Sequence, residues 1–213
     1  PVNLAMPLID AALRGEVAYS DIEQLPVAEV AEGSTIVYRD DFSDKNTGWP
    51  EADDSDVAYR YRDGSYIIDV KSSNYIRPIT GGEDLEDVIV EIDARVEQSS
   101  GDGEFGLLCR YKDDNNMYMF EVTQDGYYAI YRMLNGTWSP LVDYTYSDLV
   151  ASLTSANVQA ACIDNSLSLA IEGKVLAEAQ DNSIKSGDYG FFAGTFSNSN
   201  HVVSFDNLKV SQP

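Results

Sequence analysis

Three carboxylates lie close together in the segment "DVIVEIDARVE", at Glu91, Asp93 and Glu97. Paired carboxylates can act as the acid and the nucleophile or base of glycoside hydrolysis, which requires a carboxyl separation of about 5–9.5 Å. The segment alternates as a strand does, so the three side chains share one face, on which neighbours are about 6.7 Å apart. Glu91 and Asp93 are therefore close enough for this chemistry, whereas Glu91 and Glu97 lie about 20 Å apart.

The other face of this segment is apolar, which predicts that it belongs to the core; it carries Val88, Val90, Ile92, Ala94 and Val96. Arg95 stands between Asp93 and Glu97 and is expected to form salt bridges with the acids. Such a partner keeps a carboxylate ionised, whereas a general acid needs a raised pKa. We therefore interpret the acidic side as the solvated face of a sheet and predict no catalytic residue.

Aromatic residues suggest a different site. The chain has 14 Tyr, 2 Trp and 7 Phe, more than one core requires. Sugars present apolar C–H faces that stack on Tyr or Trp, and the strand side that carries Glu121 or Arg132 is expected to be the more exposed. This predicts a ligand groove formed by Arg110, Tyr128, Arg132 and Trp138. The alternative is that Tyr is abundant because it suits strands and half-buried edges.

Other catalytic or metal chemistry has little support in the sequence. His201 is the single histidine, so a His-based catalytic triad or a site with several His ligands cannot form within one chain. The segment "SNSNHVVSF" predicts that His201 is a surface-loop residue. No phosphate-binding glycine loop is present in the context that it needs.

The charge of the chain limits its partners. The 213 residues include 36 acidic and 14 basic ones, which gives a net charge of −22 and a pI near 4.1. This charge disfavours nucleic-acid binding, because phosphate binding needs clustered Lys and Arg. No apolar run approaches the roughly 18 residues that a membrane span requires. Neutral ligands, cations and plain solubility remain compatible with this surface.

The two cysteines, Cys109 and Cys162, both fall among apolar neighbours in predicted strands. They could be two free, buried thiols. They could also form one disulfide, which would stabilise the fold by roughly 4 kcal/mol through chain entropy and would favour an oxidising compartment.

The pattern of the chain changes near residue 34. Residues 1–34 lack alternation and contain Pro7 and Pro26, which predicts an irregular or partly helical N-terminal arm. Residues 35–213 contain some thirteen short alternating segments separated by turn residues such as Asp63-Gly64 and Asn135-Gly136. Strands without intervening helices must pair antiparallel and stack. We therefore predict an all-β, two-sheet antiparallel jelly-roll sandwich over residues 35–213.

Several segments, in order, resemble the concanavalin A-like lectin/glucanase superfamily, especially laminin G-like and 3-keto-disaccharide hydrolase-type domains of secreted bacterial proteins. They are "RDDFSD…GWP", "FGLLCRYKDDNNMYMFEVTQDGYYAIYR", "CIDNSLSLAIEGKVLAEAQD" and "SGDYGFFAGTF…VSFDNLKV". The resemblance spans about residues 36–211. It departs from the glucanase pattern at Glu97, which comes one residue later than the third acid of E-x-D-x-x-E.

The resemblance implies three structural features. Cys109 and Cys162 would pair, because their strands are neighbours in such relatives. The first and last strands would also pair. A structural Ca²⁺ would then be held by Asp41 and Asp206, with Asp40 and Asp44 as further ligands. Sugar-contacting residues of the superfamily lie on variable loops and do not carry over.

Together these observations predict a non-catalytic extracellular module that binds a glycan or a cell-surface protein and requires no cofactor. We expect it to be secreted or lipid-anchored after removal of a leader. One alternative is a structural or assembly subunit that docks or self-assembles through residues 1–34. A second alternative is a glycoside-processing enzyme.

Overall fold

The structure is a computed structural model that describes residues 34–99, 101–151 and 153–213. The N-terminal arm predicted over residues 1–34 therefore lies, except for Ser34, outside the described residues. Within the described ranges, no helix is long and apolar enough to cross a membrane.

The described residues form an all-β fold with very little helix. A 3-10 turn spans Lys45–Thr47, and one short helix, α1, spans Asp148–Ala151. The strands are β1 (Thr35–Asp40), β2 (Ala52–Asp53), β3 (Val57–Arg62), β4 (Ser65–Val70), β5 (Tyr75–Thr80), β6 (Val88–Gln98), β7 (Gly103–Asp113), β8 (Asn116–Thr123), β9 (Tyr127–Leu134), β10 (Thr137–Tyr146), β11 (Ser155–Ile163), β12 (Ser166–Ile171), β13 (Lys174–Gln180), β14 (Asp188–Thr195) and β15 (His201–Gln212).

The strands form two antiparallel sheets. Sheet A has nine strands in the order β13-β12-β11-β6-β15-β4-β3-β2, with β1 paired to β15 beside that path. Sheet B has six strands in the order β10-β9-β8-β7-β14-β5. The predicted two-sheet jelly-roll sandwich is confirmed. So is the pairing of the first and last strands, in which Asp40 lies opposite Leu208.

The core fills the space between the inner faces of the two sheets. From β6 it takes the alternate residues Val88, Val90, Ile92 and Ala94, with Val96 packed at its margin, as the sequence predicts. Each such buried aliphatic side chain contributes roughly 1.5–3 kcal/mol of hydrophobic free energy.

The tight turns follow the turn residues of the sequence. Asp63 and Gly64 both have positive φ, 53° and 81°, and join β3 to β4. Asn135 and Gly136 do the same between β9 and β10, with φ of 50° and 74°. These are the backbone angles that a two-residue hairpin turn requires, and they are the reason for Gly at its second position.

A disulfide joins the two sheets through the core. Cys109 on β7 and Cys162 on β11 are bonded, with Cα atoms 6.6 Å apart. The predicted pairing is confirmed, but the two strands are not neighbours in one sheet. β7 belongs to sheet B and β11 to sheet A, so the bond crosses the sandwich.

Arg110, the next residue, is an internal cross-link. The pairing register shifts here, and Arg110 takes a φ of 51°. Its side chain is 1% exposed. The guanidinium donates hydrogen bonds to the backbone carbonyls of Glu86 (2.8 Å), Asp164 (2.9 Å) and Ile184 (3.2 Å). One side chain thereby holds three separate chain segments together at one end of the sandwich.

His201 does not lie in a surface loop, so that prediction was wrong. It begins β15, is fully buried, and its ring packs against Gly103, where a Cβ would lie 2.2 Å from Nδ1. Neither ring nitrogen makes a hydrogen bond of ordinary geometry to the described residues. Backbone groups of Gln98 and Glu104 nevertheless lie near enough to the ring to favour the charged imidazolium form of His201. Burial outweighs them and lowers the pKa of His201 to about 4.

Arg110→Met should destabilise the protein by about 3 kcal/mol, because it removes a buried guanidinium that donates to three backbone carbonyls at buried or partly buried places and forms an ion pair with Asp87. Equilibrium urea unfolding measures this change. Arg62→Met is the matched control, since Arg62 forms only an ion pair with Glu97 in which both side chains are partly exposed; its cost should stay below about 1 kcal/mol. Equal costs for the two variants would contradict the cross-linking role.

Candidate functional site: the outer face of sheet B

The outer face of sheet B is apolar, although it points away from the core. A second cluster of buried side chains lies there, formed by Leu108, Met117, Met119, Met133 and Phe192. Ile76, Tyr111 and Tyr131 pack around it. The central strands β7 and β8 are consequently buried on both faces over most of their length. The side chains of this cluster are themselves buried, so a binding surface on this face would have to come from the exposed apolar residues around it.

Five aromatic side chains line this face along β9 and β10. We call Tyr127, Tyr131, Trp138, Tyr144 and Tyr146 the aromatic strip. Ring centroids are 6.1 Å apart for Tyr131 and Trp138, 5.6 Å for Tyr131 and Tyr144, and 5.5 Å for Tyr127 and Tyr146. Of the six large hydrophobic residues that are exposed in the described ranges, four belong to the strip. Trp138 is 43% exposed and Tyr146 is 53% exposed.

Strand alternation and register produce the strip. Tyr127 and Tyr131 share a face of β9 with Met133, which belongs to the outer cluster. Trp138 lies opposite Met133 and Tyr146 lies opposite Tyr127 in the β9–β10 pairing, so these side chains point the same way. The β9–β10 register shifts between Pro140 and Val142 and again between Val142 and Thr145. Tyr144 lies within the second shift, and its ring lies beside that of Tyr131.

A groove of about 510 Å³ opens beside the end of the strip at Trp138. Its lining combines the apolar side chains of Pro78, Met117, Met119 and Trp138 with the polar groups of Arg77, Tyr111 and Asp114. Asp114 supplies a carboxylate there and accepts a hydrogen bond from the Tyr111 hydroxyl at 2.7 Å. An apolar groove with a few fixed polar groups is the usual form of a small-ligand or oligomer site.

Two buried carboxyl groups lie under the strip at its other half. Glu104 on β7 is 1% exposed and Glu121 on β8 is 4% exposed. They occupy diagonal positions on the same face, since Glu104 pairs with Thr123 and Glu121 pairs with Gly106. Gly194 leaves the space that Glu104 fills, because a Cβ there would lie 2.5 Å from Glu104 Oε1.

Burial controls the charge of this pair. It raises the pKa of Glu121 to about 7, against a weaker opposite effect of the hydrogen bond that Tyr144 donates to Glu121 Oε2. Burial also raises the pKa of Glu104 well above its usual range, and the charge of Glu121 raises it further. No ion pair among the described residues includes either group. Glu104 Oε2 has no hydrogen-bond partner there.

The four ligand-contact residues predicted from the sequence do not share one surface. Trp138 belongs to the aromatic strip. Tyr128 and Arg132 lie on the inner side of β9, where Tyr128 packs against the core and Arg132 pairs with Asp181 at 2.6 Å. Arg110 is buried at the end of the sandwich. The structure therefore places only Trp138 on the outer face of sheet B.

Sequence reasoning also missed Glu104 and Glu121. It took the side of β8 that carries Glu121 as the more exposed one, and this was wrong, because Met117 and Met119 share that side and the whole row is buried. Those two methionines, alternating with a core row of Tyr118 and Phe120, indicated a strand that is apolar on both faces. That pattern could have identified the site.

The three carboxylates of β6 lie on the outer face of sheet A and have structural partners. Glu91 pairs with Lys209 and Glu97 pairs with Arg62. Asp93 accepts hydrogen bonds from the side-chain amides of Asn157 (2.8 Å) and Asn207 (2.9 Å). The sequence analysis had expected Arg95 to be the partner of these acids, but the partners come from the neighbouring strands β11 and β15 and from the end of β3.

The four carboxylates predicted to bind Ca²⁺ have different interactions in the structure. Asp40 accepts hydrogen bonds from the Phe42 amide (2.7 Å) and Trp49 Nε1 (2.8 Å), and Asp44 caps the 3-10 turn. Asp41 and Asp206 lie close together. Burial raises the pKa of Asp206, and the charge of Asp41 is one of the smaller effects that raise it further. Over the ranges that the structure describes, no group of three or more His, Cys, Asp or Glu side chains is arranged to hold a metal. Calcium binding at Asp41 and Asp206 stays a prediction.

Comparison with known proteins identifies the fold. No protein-family model and no curated protein matches the sequence. Solved structures do match: carbohydrate-binding module CBM66 from Bacillus subtilis is 16% identical with a TM-score of 0.52, and the alignment covers 86% of this chain and 98% of that one. The fold is a concanavalin A-like jelly roll.

Two further neighbours have the same architecture. A Bacillus subtilis protein of unknown function with a galectin-like fold is 12% identical, with a TM-score of 0.60 and coverage of 84% of this chain and 96% of that chain. SCLam, a non-specific endo-β-1,3(4)-glucanase of family GH16, is 9% identical, with a TM-score of 0.59 and coverage of 88% and 94%. At these identities the similarity establishes the jelly roll and nothing finer.

Glu121→Gln should stabilise the protein at pH 8 by on the order of 2 kcal/mol. The pKa of Glu121 is raised to about 7 in the folded state, against 4.5 for the free side chain. The unfolded chain thus releases this proton first as the pH rises, and folding stability falls between about pH 4.5 and 7. The gain from Glu121→Gln should therefore be absent at pH 4.5 and complete at pH 8.

Urea unfolding of both proteins at pH 4.5, 6 and 8 measures this difference, and the contribution of His201 cancels because both proteins contain it. Glu97→Gln is the matched control on sheet A and should change stability by less than about 0.5 kcal/mol at pH 8. A loss of stability at pH 8 in Glu121→Gln would contradict the account of the buried pair.

Proposed function

We propose that this chain is a non-catalytic glycan-binding domain whose binding face is the aromatic strip and the adjoining groove on sheet B. The observation that carries the proposal is the strip itself, because four of the six exposed large hydrophobic residues in the described ranges are aromatic and lie together on one sheet face. Exposed aromatic rings in a row raise the free energy of a monomer in water, and covering them with a ligand lowers it.

The chemistry of the strip suits sugars. Tyr and Trp rings can stack against the apolar C–H face of a pyranose, and the row offers several such rings in succession. Two carboxylates beside the rings could bind the sugar hydroxyls: Asp114 in the groove and Asp143 near Tyr131. Burial, then the charge of Glu121 and then that of Asp143 raise the pKa of Tyr131. A site of this kind binds along a chain of sugars rather than enclosing a single one.

Charge narrows the ligand further. The chain carries a net charge of −22. Asp114 and Asp143 stand beside the strip, and Arg77 is the cation among the residues that line the groove. Uronic acids and sulfated glycans would be repelled, so we expect neutral or cationic glycans.

A binding role is favoured over hydrolysis by the positions of the carboxyl groups. Glu104 and Glu121 are buried beneath the strip, where a glycosidic bond cannot reach them. Glu91, Asp93 and Glu97 are held by internal partners on the other sheet. The similarity to a carbohydrate-binding module is in keeping with this role, and the disulfide suits an extracellular protein. Docking through residues 1–34 stays a prediction, since those residues, Ser34 excepted, are not described.

Trp138→Ala should weaken glycan binding at least about tenfold, because stacking on one exposed ring contributes on the order of 1.4 kcal/mol. A glycan array of neutral, amino and acidic polysaccharides selects the ligand, and isothermal titration calorimetry measures the affinity. Ile36→Ala is the matched control, since Ile36 is equally exposed but lies on β1 of sheet A. Binding to no glycan on the array, or equal affinity of Trp138→Ala and the wild type, would contradict the proposal.

A further inference from the structure

One member of the aromatic strip is bonded to the buried carboxyl pair. The Tyr144 hydroxyl donates a hydrogen bond to Glu121 Oε2. The ring of Tyr144 contacts Tyr131 of the strip, with centroids 5.6 Å apart, and Phe196 on the other side, with centroids 6.2 Å apart. Tyr144 therefore links an exposed binding surface to a group that titrates beneath it.

The titratable groups around Glu121 in the described part of the chain are acids and phenols. Glu104 on β7, Tyr131 on β9, and Asp143 and Tyr144 on β10 are the titratable groups that face this region. β14 contributes Gly194, which lies against Glu104. No Lys or Arg in the described ranges forms an ion pair with Glu104 or Glu121. Among the residues that the structure describes, it is the hydrogen bond from Tyr144 that stabilises a negative charge on Glu121.

We propose that Glu121 is a positioning residue for the aromatic strip: its carboxylate holds the Tyr144 ring in line with the strip, its protonated form holds that ring less tightly, and glycan binding therefore changes with pH. This inference rests on the proposed glycan-binding function. It assigns the buried pair a regulatory role at the same face, distinct from catalysis.

The direction of the effect follows from the hydrogen bond. A hydrogen bond to an ionised acceptor is roughly twice as strong as one between neutral groups. Tyr144 keeps its proton throughout, since burial raises its pKa above the usual range. Glu121 ionises near neutral pH, because burial raises its pKa to about 7, and burial and the charge of Glu121 raise the pKa of Glu104 well above its usual range. A strip ordered in advance binds more tightly, so affinity should rise as the pH passes upward through 7.

Calorimetric titration of the full chain with laminarihexaose and xylohexaose at pH 6, 7 and 8.5 tests the effect on binding. We expect about fivefold tighter binding at pH 8.5 than at pH 6. Glu121→Gln and Tyr144→Phe should each remove this dependence, because the first cannot ionise and the second cannot donate. Glu97→Gln, an acid on sheet A, should keep the wild-type profile. Binding that varies equally with pH in Glu121→Gln would overturn the inference while leaving the proposed function intact.

A measurement without ligand tests the positioning directly. The ring signals of Tyr144, assigned by comparison with Tyr144→Phe in NMR spectra of the tyrosine-labelled chain, should shift with a midpoint near pH 7 in the wild type and not in Glu121→Gln. Tyr144 signals that stay constant from pH 5.5 to 8.5 would overturn the inference whatever the binding data show. A Tyr144 titration in a chain that binds no glycan would support the coupling and count against the proposed function.

Discussion

The central strands of sheet B are apolar on both faces, and the rest of the structure depends on this constraint. Their inner face packs against sheet A and is tied to it by the disulfide between Cys109 and Cys162. Their outer face, built on Met117 and Met119, is not covered by a second sheet formed from the described residues. The aromatic side chains of β9 and β10 cover part of it. Because that cover is itself aromatic and exposed, the face that completes the fold is also the face best suited to bind a ligand.

The same constraint explains the unusual polar groups on this face. A carboxyl side chain in the row of a buried methionine cannot reach water, so Glu121 is desolvated, and its diagonal neighbour Glu104 shares that environment. Gly194 makes the room, and Tyr144 supplies the hydrogen bond that favours the charged form of Glu121. Natural proteins rarely bury an acid without a cation. Coupling between the acid and an exposed ring gives such an arrangement a functional reason.

Much of the fold could be predicted from the sequence, because period-two alternation and turn dipeptides such as Asn135-Gly136 are local. The site could not be predicted in full, because it depends on which face of a strand meets the second sheet. Alternation separated Tyr118 from Met119 correctly, but the charge of Glu121 led to the row of Met119 being assigned to the solvent side, although that row is buried. Arg110 was assigned to a ligand groove because the bulge that turns it inward leaves no mark in the sequence. Glu104 and Glu121 become neighbours only through the pairing of β7 and β8.

The location of the bound glycan tests the central claim most directly. Backbone amide signals of the ¹⁵N-labelled chain, recorded during titration with the neutral oligosaccharide that binds most tightly, report the contact surface residue by residue. The account predicts the largest changes at Tyr131, Trp138 and Tyr144, with little change on the outer face of sheet A. Changes centred on Glu91 and Asp93 would contradict it.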